Sequence, residues 1–100
     1  MYVLNVYQYL KPGTREAFLE QVREQEICLL AAAEPGCIQY AYYVPDSADG
    51  EEHVLLMEKW ESRDAQQAHL KMEAFRRLQS FSGKYVLRSA LEAFTTQDNA

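Results

Sequence analysis

The sequence predicts an α+β domain of order βαββαβ, a four-stranded antiparallel sheet with both helical segments on one face. Three observations carry this expectation. Four short stretches rich in β-branched and aromatic residues alternate with two stretches of helical periodicity. Turn-forming residues fall at most of the junctions, and 100 residues leave room for one domain and one core.

The first strand is Tyr2–Leu10 (YVLNVYQYL), and Lys11-Pro12-Gly13 ends it, because proline and glycine interrupt a ladder. Thr14 is placed to cap a helix over 18–33, in which Phe18, Leu19, Val22, Leu29, Leu30 and Ala33 share one arc at about 100° per residue. Glu34-Pro35-Gly36 stops this helix, since proline cannot continue its hydrogen bonds and glycine permits the reversal. Residues 37–44 (CIQYAYYV) form the second strand, and 45–50 (PDSADG) the turn to a third strand, His53–Trp60 (HVLLMEKW), which pairs with it as a hairpin.

Ser62 caps a second helical region ending near Ser82. It breaks near Met72, where the apolar register shifts relative to Phe75 and Leu78, and Ser82-Gly83 closes it. Residues 85–94 (YVLRSALEAF) form the last strand. The domain spans 1–95, and the polar residues 96–100 are expected to fray.

This order is that of a ferredoxin-like domain. Its first and third strands are apolar on both sides: Leu4 and Val6 oppose Val3 and Tyr7, and Val54 and Leu56 oppose Leu55 and Met57. A sheet wetted on one face would alternate apolar with polar residues. The face away from the helices is therefore expected to be covered by the sheet of a second copy, giving a homodimer through the sheet face. A chain of this size gains from such added burial.

Composition narrows the function. With 48% hydrophobic and 25% charged residues, no run long enough to cross a bilayer and no leader-like start, the expected address is the cytoplasm, with no membrane partner. A net charge of -5 with no basic face argues against a nucleic-acid partner. Cys28 and Cys37 match neither a disulfide framework nor a zinc spacing, so free thiols in or near the core and no metal site are expected. No GxGxxG, P-loop, GxSxG or HExxH pattern occurs, and no cofactor is expected.

The stretches KPGTREAFLEQV, EPGCIQYAYY and VLLMEKWESRDAQQAHL, in this order and spacing, resemble the antibiotic biosynthesis monooxygenase family. The most specific part is Glu58-Lys59-Trp60-Glu61-Ser62 followed by His69, supported by Pro35-Gly36-Cys37. The resemblance implies a dimeric ferredoxin-like fold, a dimeric α+β barrel, with a cavity between the helices and the sheet of each subunit. It leaves the chemistry open, since the family's members include cofactor-independent oxygenases of polyketide phenols, quinol oxygenases, haem-degrading enzymes and a sugar-phosphate isomerase.

Trp60 occupies the strand end where the polyketide oxygenases of that family keep a pocket tryptophan, able to donate from its indole and to stack on an aromatic ligand. It could equally be a core tryptophan closing the sheet edge. Their asparagine four residues earlier is Leu56 here, and a second histidine common in the family is Ala74. Val6, His69 and Gln79 stand where the haem-degrading relatives keep asparagine, tryptophan and histidine, which argues against haem cleavage. Asn5 is one residue away, but that shift turns its side chain to the opposite sheet face, where it suits an interface or structural role.

His69 falls on the inward stripe of its helix with Ala65 and Met72, and an imidazole there can accept or donate a proton, or serve as a hydrogen-bonded structural residue. Glu26 falls in the middle of the apolar arc of the first helix. A lone carboxylate there needs a partner or a polar pocket wall, which makes it a second candidate base, with a salt bridge to Arg88 as the non-catalytic alternative. Tyr40, Leu56, Met72 and Phe75 join Trp60 as expected substrate-binding residues, suited to a flat aromatic ligand. The leading expectation is a cofactor-independent monooxygenase of a small phenol or quinol, with His69 or Glu26 taking the proton. The alternative is an isomerase of a small carbonyl metabolite or a non-catalytic dimeric ligand-binding protein.

Overall fold

In the computed structural model, which describes residues 1–97, the chain runs β1 (Tyr2–Leu10), α1 (Arg15–Glu24), α2 (Ile27–Ala32), β2 (Cys37–Tyr43), β3 (His53–Trp60), α3 (Arg63–His69), α4 (Glu73–Ser82) and β4 (Val86–Thr95). The strands form one antiparallel sheet of order β2-β3-β1-β4. This is the expected ferredoxin-like α+β arrangement. Thr96 extends the pairing by donating its N–H to Met1 O at 3.0 Å. The rest of the expected frayed tail, 98–100, lies outside the described residues.

The period of two along β3 orients the sheet. Val54, Leu56, Glu58 and Trp60 are buried against the helices, while His53, Leu55, Met57 and Lys59 are half-exposed on the other side. Register carries the inner face across to Leu4, Val6 and Gln8 of β1 and Tyr40 and Tyr42 of β2. Phe18 of α1 fills the centre, meeting Tyr42 and Tyr85 edge-on with ring centroids 5.9 Å apart in both cases. Cys28 and Cys37 are free thiols packed against this core, as expected.

Three local expectations are corrected. Thr14 holds the cap position of α1, but its hydroxyl donates to Lys11 O at 2.6 Å. The carboxylate of Glu52 instead accepts from Gly13 N at 3.0 Å and Arg15 N at 2.8 Å, which holds its pKa below the ordinary glutamate value. The helix over 18–33 is two helices, because Glu26 adopts a left-handed conformation with φ of 55° and ends the first. Angles counted through that break lose their meaning, so Leu29, placed in the apolar arc, is 67% exposed and Ile27 takes the inward position.

Gly36, with φ of 80°, sits where β2 passes α3. A Cβ there would lie 2.7 Å from that of Ala65. Its carbonyl accepts from Glu61 N at 2.8 Å, which fixes the start of α3 beside the start of β2. The outer sheet face carries Val3, Asn5, Tyr7, Leu55 and Met57, uncovered within the chain, and β4 is exposed along nearly its whole length.

Candidate active site

Ser62 begins the site. Its hydroxyl accepts from Ala65 N at 3.1 Å and starts α3 directly after β3. That short helix delivers His69 at its last turn to the inner face of the sheet. The imidazole, 2% exposed, lies among three aromatic rings, with centroids 5.1 Å from Trp60, 5.3 Å from Tyr40 and 5.7 Å from Phe75.

Its Nδ1 lies 2.7 Å from Oε1 of Glu34, whose side chain is also buried. A carboxylate only accepts, so Nδ1 is the donor in this contact, and in the neutral form of the ring it is Nε2 that carries the lone pair. Glu34 comes from the turn between α2 and β2, held by its own N–H to Ala31 O and by Cys37 N to its carbonyl. A carboxylate that fixes the tautomer and orientation of a histidine is the arrangement that makes imidazole a directed proton acceptor.

Glu58 is a second buried carboxyl group, 4% exposed, and its Oε1 accepts from Trp60 Nε1 at 3.0 Å. Burial pushes its pKa up. The indole donor and the neighbouring imidazole act against that shift, and the Glu34 charge adds to it.

His69 and Glu58 line a cavity of about 460 Å³ between the sheet and α3 and α4, a volume suited to a small organic ligand. Its apolar wall includes Val6, Tyr40, Leu56, Phe75 and Leu78. Burial drives the phenol of Tyr40 well above its ordinary pKa, which keeps it neutral at physiological pH.

The structure therefore brings together His69, Tyr40, Leu56 and Phe75 of the expected site. Trp60 lies behind the wall, 0% exposed and outside the cavity lining, with its N–H engaged by Glu58. Its place there is under His69, supporting the ring. Met72 caps α4, half-buried and off the cavity lining, because the break after His69 turns it out of the helical stripe. Glu26 is exposed at the α1–α2 junction and does not line the cavity. The left-handed residue that splits the helix is Glu26 itself, so no apolar arc surrounds it. Arg88, its suggested partner, pairs with Glu51 through two contacts, Nη2 to Oε1 at 2.8 Å being one.

Two functional groups escaped the sequence reading. Glu34 looked only like part of a helix stop. Glu58 was legible, since it alternates inward between Leu56 and Trp60 and a lone inward carboxyl group is a departure from core chemistry.

The structure thus sets a buried carboxylate–imidazole pair beside a ligand-sized cavity on a four-stranded antiparallel α+β sheet. The chain belongs to the antibiotic biosynthesis monooxygenase family, whose model matches residues 1–80. No curated protein sequence matches it. Among solved structures it is similar to a Nitrosomonas europaea protein assigned to the antibiotic biosynthesis monooxygenases, at 23% identity and TM-score 0.82 over 96% of this chain and 98% of that one. It is also similar to Rv0793 from Mycobacterium tuberculosis, at 24% identity and TM-score 0.80 over 99% and 97% of the two chains. PA3566 from Pseudomonas aeruginosa gives 20% identity and TM-score 0.80 over 96% and 93%. Likeness at these identities establishes the fold. Monooxygenase is the activity the family is named for.

Proposed function

We propose that this protein is a cofactor-independent monooxygenase of a small aromatic phenol or quinol, with His69 as the base. The observation that carries the reading is the buried Glu34–His69 pair at the wall of a ligand-sized cavity that also presents the apolar and aromatic side chains of Val6, Tyr40, Leu56, Phe75 and Leu78. Nε2 of His69 removes a phenolic proton, and the aromatic wall of Tyr40 and Phe75 holds the ring. The resulting anion is electron-rich enough to reduce dioxygen itself. A quinol and one O2 then give a hydroxyquinone and one water: four electrons leave the substrate, one oxygen atom joins the ring carbon that loses hydrogen, and the other departs as water.

The enzyme works as a cytoplasmic homodimer joined through its outer sheet face. Two features support the dimer: the uncovered apolar residues Val3, Tyr7, Leu55 and Met57, and the exposure of Phe94 on β4. Free Cys28 and Cys37 suit a reducing compartment. Among the described residues no helix is long and apolar enough to cross a membrane.

Leu56 in the cavity wall favours a second reading. It presents no amide where polyketide oxygenases of the family keep one, so the same base could instead serve an isomerase of a small carbonyl metabolite, or the cavity could bind without turnover. Oxygen uptake with a panel of quinols and naphthalene diols separates these readings. The oxygenase reading requires uptake by the wild type that falls sharply in His69→Ala. Absence of uptake with every member leaves isomerisation or binding.

A further inference from the structure

On the sheet side of the cavity two polar residues of the lining, Glu58 and Gln8, lie apart along the strands. Glu58 of β3 pairs with Leu4 of β1 at one end, close to His69, and Gln8 of β1 pairs with Val54 and Ser89 at the other. Four residue steps along β1 take Leu4 to Gln8, about 13–14 Å along the sheet. Between them lies an apolar belt of Val6, Leu56 and Leu91, aligned by the register of three adjacent strands.

Gln8 is anomalous at its end. It is 7% exposed on the core side of a central strand, at a position that the period of two otherwise gives to Leu4, Val6 and Leu10. Its Oε1 is buried without a hydrogen-bond partner, and no protein group accepts from its amide nitrogen among the described residues. A buried amide left unsatisfied costs stability that leucine would not, so its retention in a cavity wall calls for a partner from outside the chain.

We propose that Gln8 is a specificity-determining residue of this cavity, reading an oxygen function at the end of the ligand remote from His69. A primary amide offers both a donor and an acceptor, so it takes a hydroxyl or a carbonyl oxygen equally well. Ser89, opposite Gln8 on β4 and also in the lining, adds a hydroxyl at the same end. The ligand this selects is an elongated aromatic with oxygen at both ends, and it disfavours one that is oxygenated at the His69 end alone. The inference rests on the aromatic-ligand reading above but not on turnover.

Calorimetric titration tests it with two probes, a naphthalene diol with hydroxyls at opposite ends of the ring system and the corresponding naphthol with one. The wild type is expected to bind the diol about tenfold more tightly, the value of one well-made hydrogen bond to a buried group, and Gln8→Met to lose that preference. Equal wild-type affinities, or a preference that survives in Gln8→Met, overturn the assignment of Gln8. Where Gln8→Met fails to fold, Gln8→Leu replaces it, and equal wild-type affinities overturn the assignment without any variant. Binding of neither probe overturns the assignment together with the aromatic reading. A diol preference that is lost in Gln8→Met, without oxygen uptake, upholds Gln8 and removes only the oxygenase.

Discussion

Glu34 and His69, 35 positions apart in sequence, meet at 2.7 Å between carboxylate and imidazole, both buried and beside a cavity that can admit a ligand. The contact exists because two tight turns converge. Glu34 precedes the Gly36 reversal into β2, and His69 ends the helix that Gly36 and Ser62 set in place.

Substitution of either partner therefore separates chemistry from packing. Loss of the base in His69→Ala is expected to lower kcat/KM for quinol oxidation by about 10²–10⁴. Glu34→Gln keeps the volume but can donate to Nδ1, favouring the tautomer with the proton on Nε2. Its kcat is expected to fall with KM little changed. A steady-state oxygen electrode reads both.

The buried Glu58 gives the fold a pH signature. Its folded pKa is raised above the ordinary 4.5, so between those two values the folded state binds more protons than the unfolded. Stability contributed by the protonated form is thus lost as pH rises from 4.5 through the folded value. Urea midpoints of the wild type should decline across that window relative to Glu58→Gln, which has no proton to lose there. Parallel pH profiles for the two proteins would show that Glu58 is not the cause.

Gly36→Ala confronts both a left-handed backbone and a 2.7 Å approach to Ala65. The two together should cost about 2–4 kcal/mol. Thermal melts check this, with Gly13→Ala as a comparison at a similar positive φ but with open space around its Cβ. A Gly36 variant no worse than the Gly13 variant would remove the close approach from the account.

The outer sheet face gives a test of assembly. Leu55 pairs with Tyr7 and Tyr43 across the sheet and points away from the cavity. Leu55→Asp is expected to sediment as a monomer at micromolar concentration where the wild type is a dimer. A monomeric wild type would contradict the dimer directly.

The strands were legible because each face of the sheet has its own demand. In β3 the inner residues Val54, Leu56 and Trp60 repeat at the strand period, and the boundaries His53 and Trp60 stand as expected. The break before α4 was legible for a similar reason, since the apolar register shifts near Met72 relative to Phe75 and Leu78. The break at Glu26 was not. Nothing in its residue type demands a left-handed conformation, and the Arg77 Nη1 contact to Gln25 O at 3.0 Å that braces it comes from a distant helix. That hidden break moved a supposed base to the surface. The true partner of His69 was equally hidden, because a glutamate before a Pro-Gly turn carries no local sign of what its side chain meets across the fold.

Proton removal by His69 is the central step of the proposed reaction, and anaerobic difference spectroscopy of a bound naphthalene diol reads it without relying on turnover. The wild type should bind the ligand as its anion, with the red-shifted phenolate band, and His69→Ala should bind it as the neutral phenol. A neutral ligand in the wild type, or an equally strong phenolate band without the imidazole, would contradict the role given to the Glu34–His69 pair.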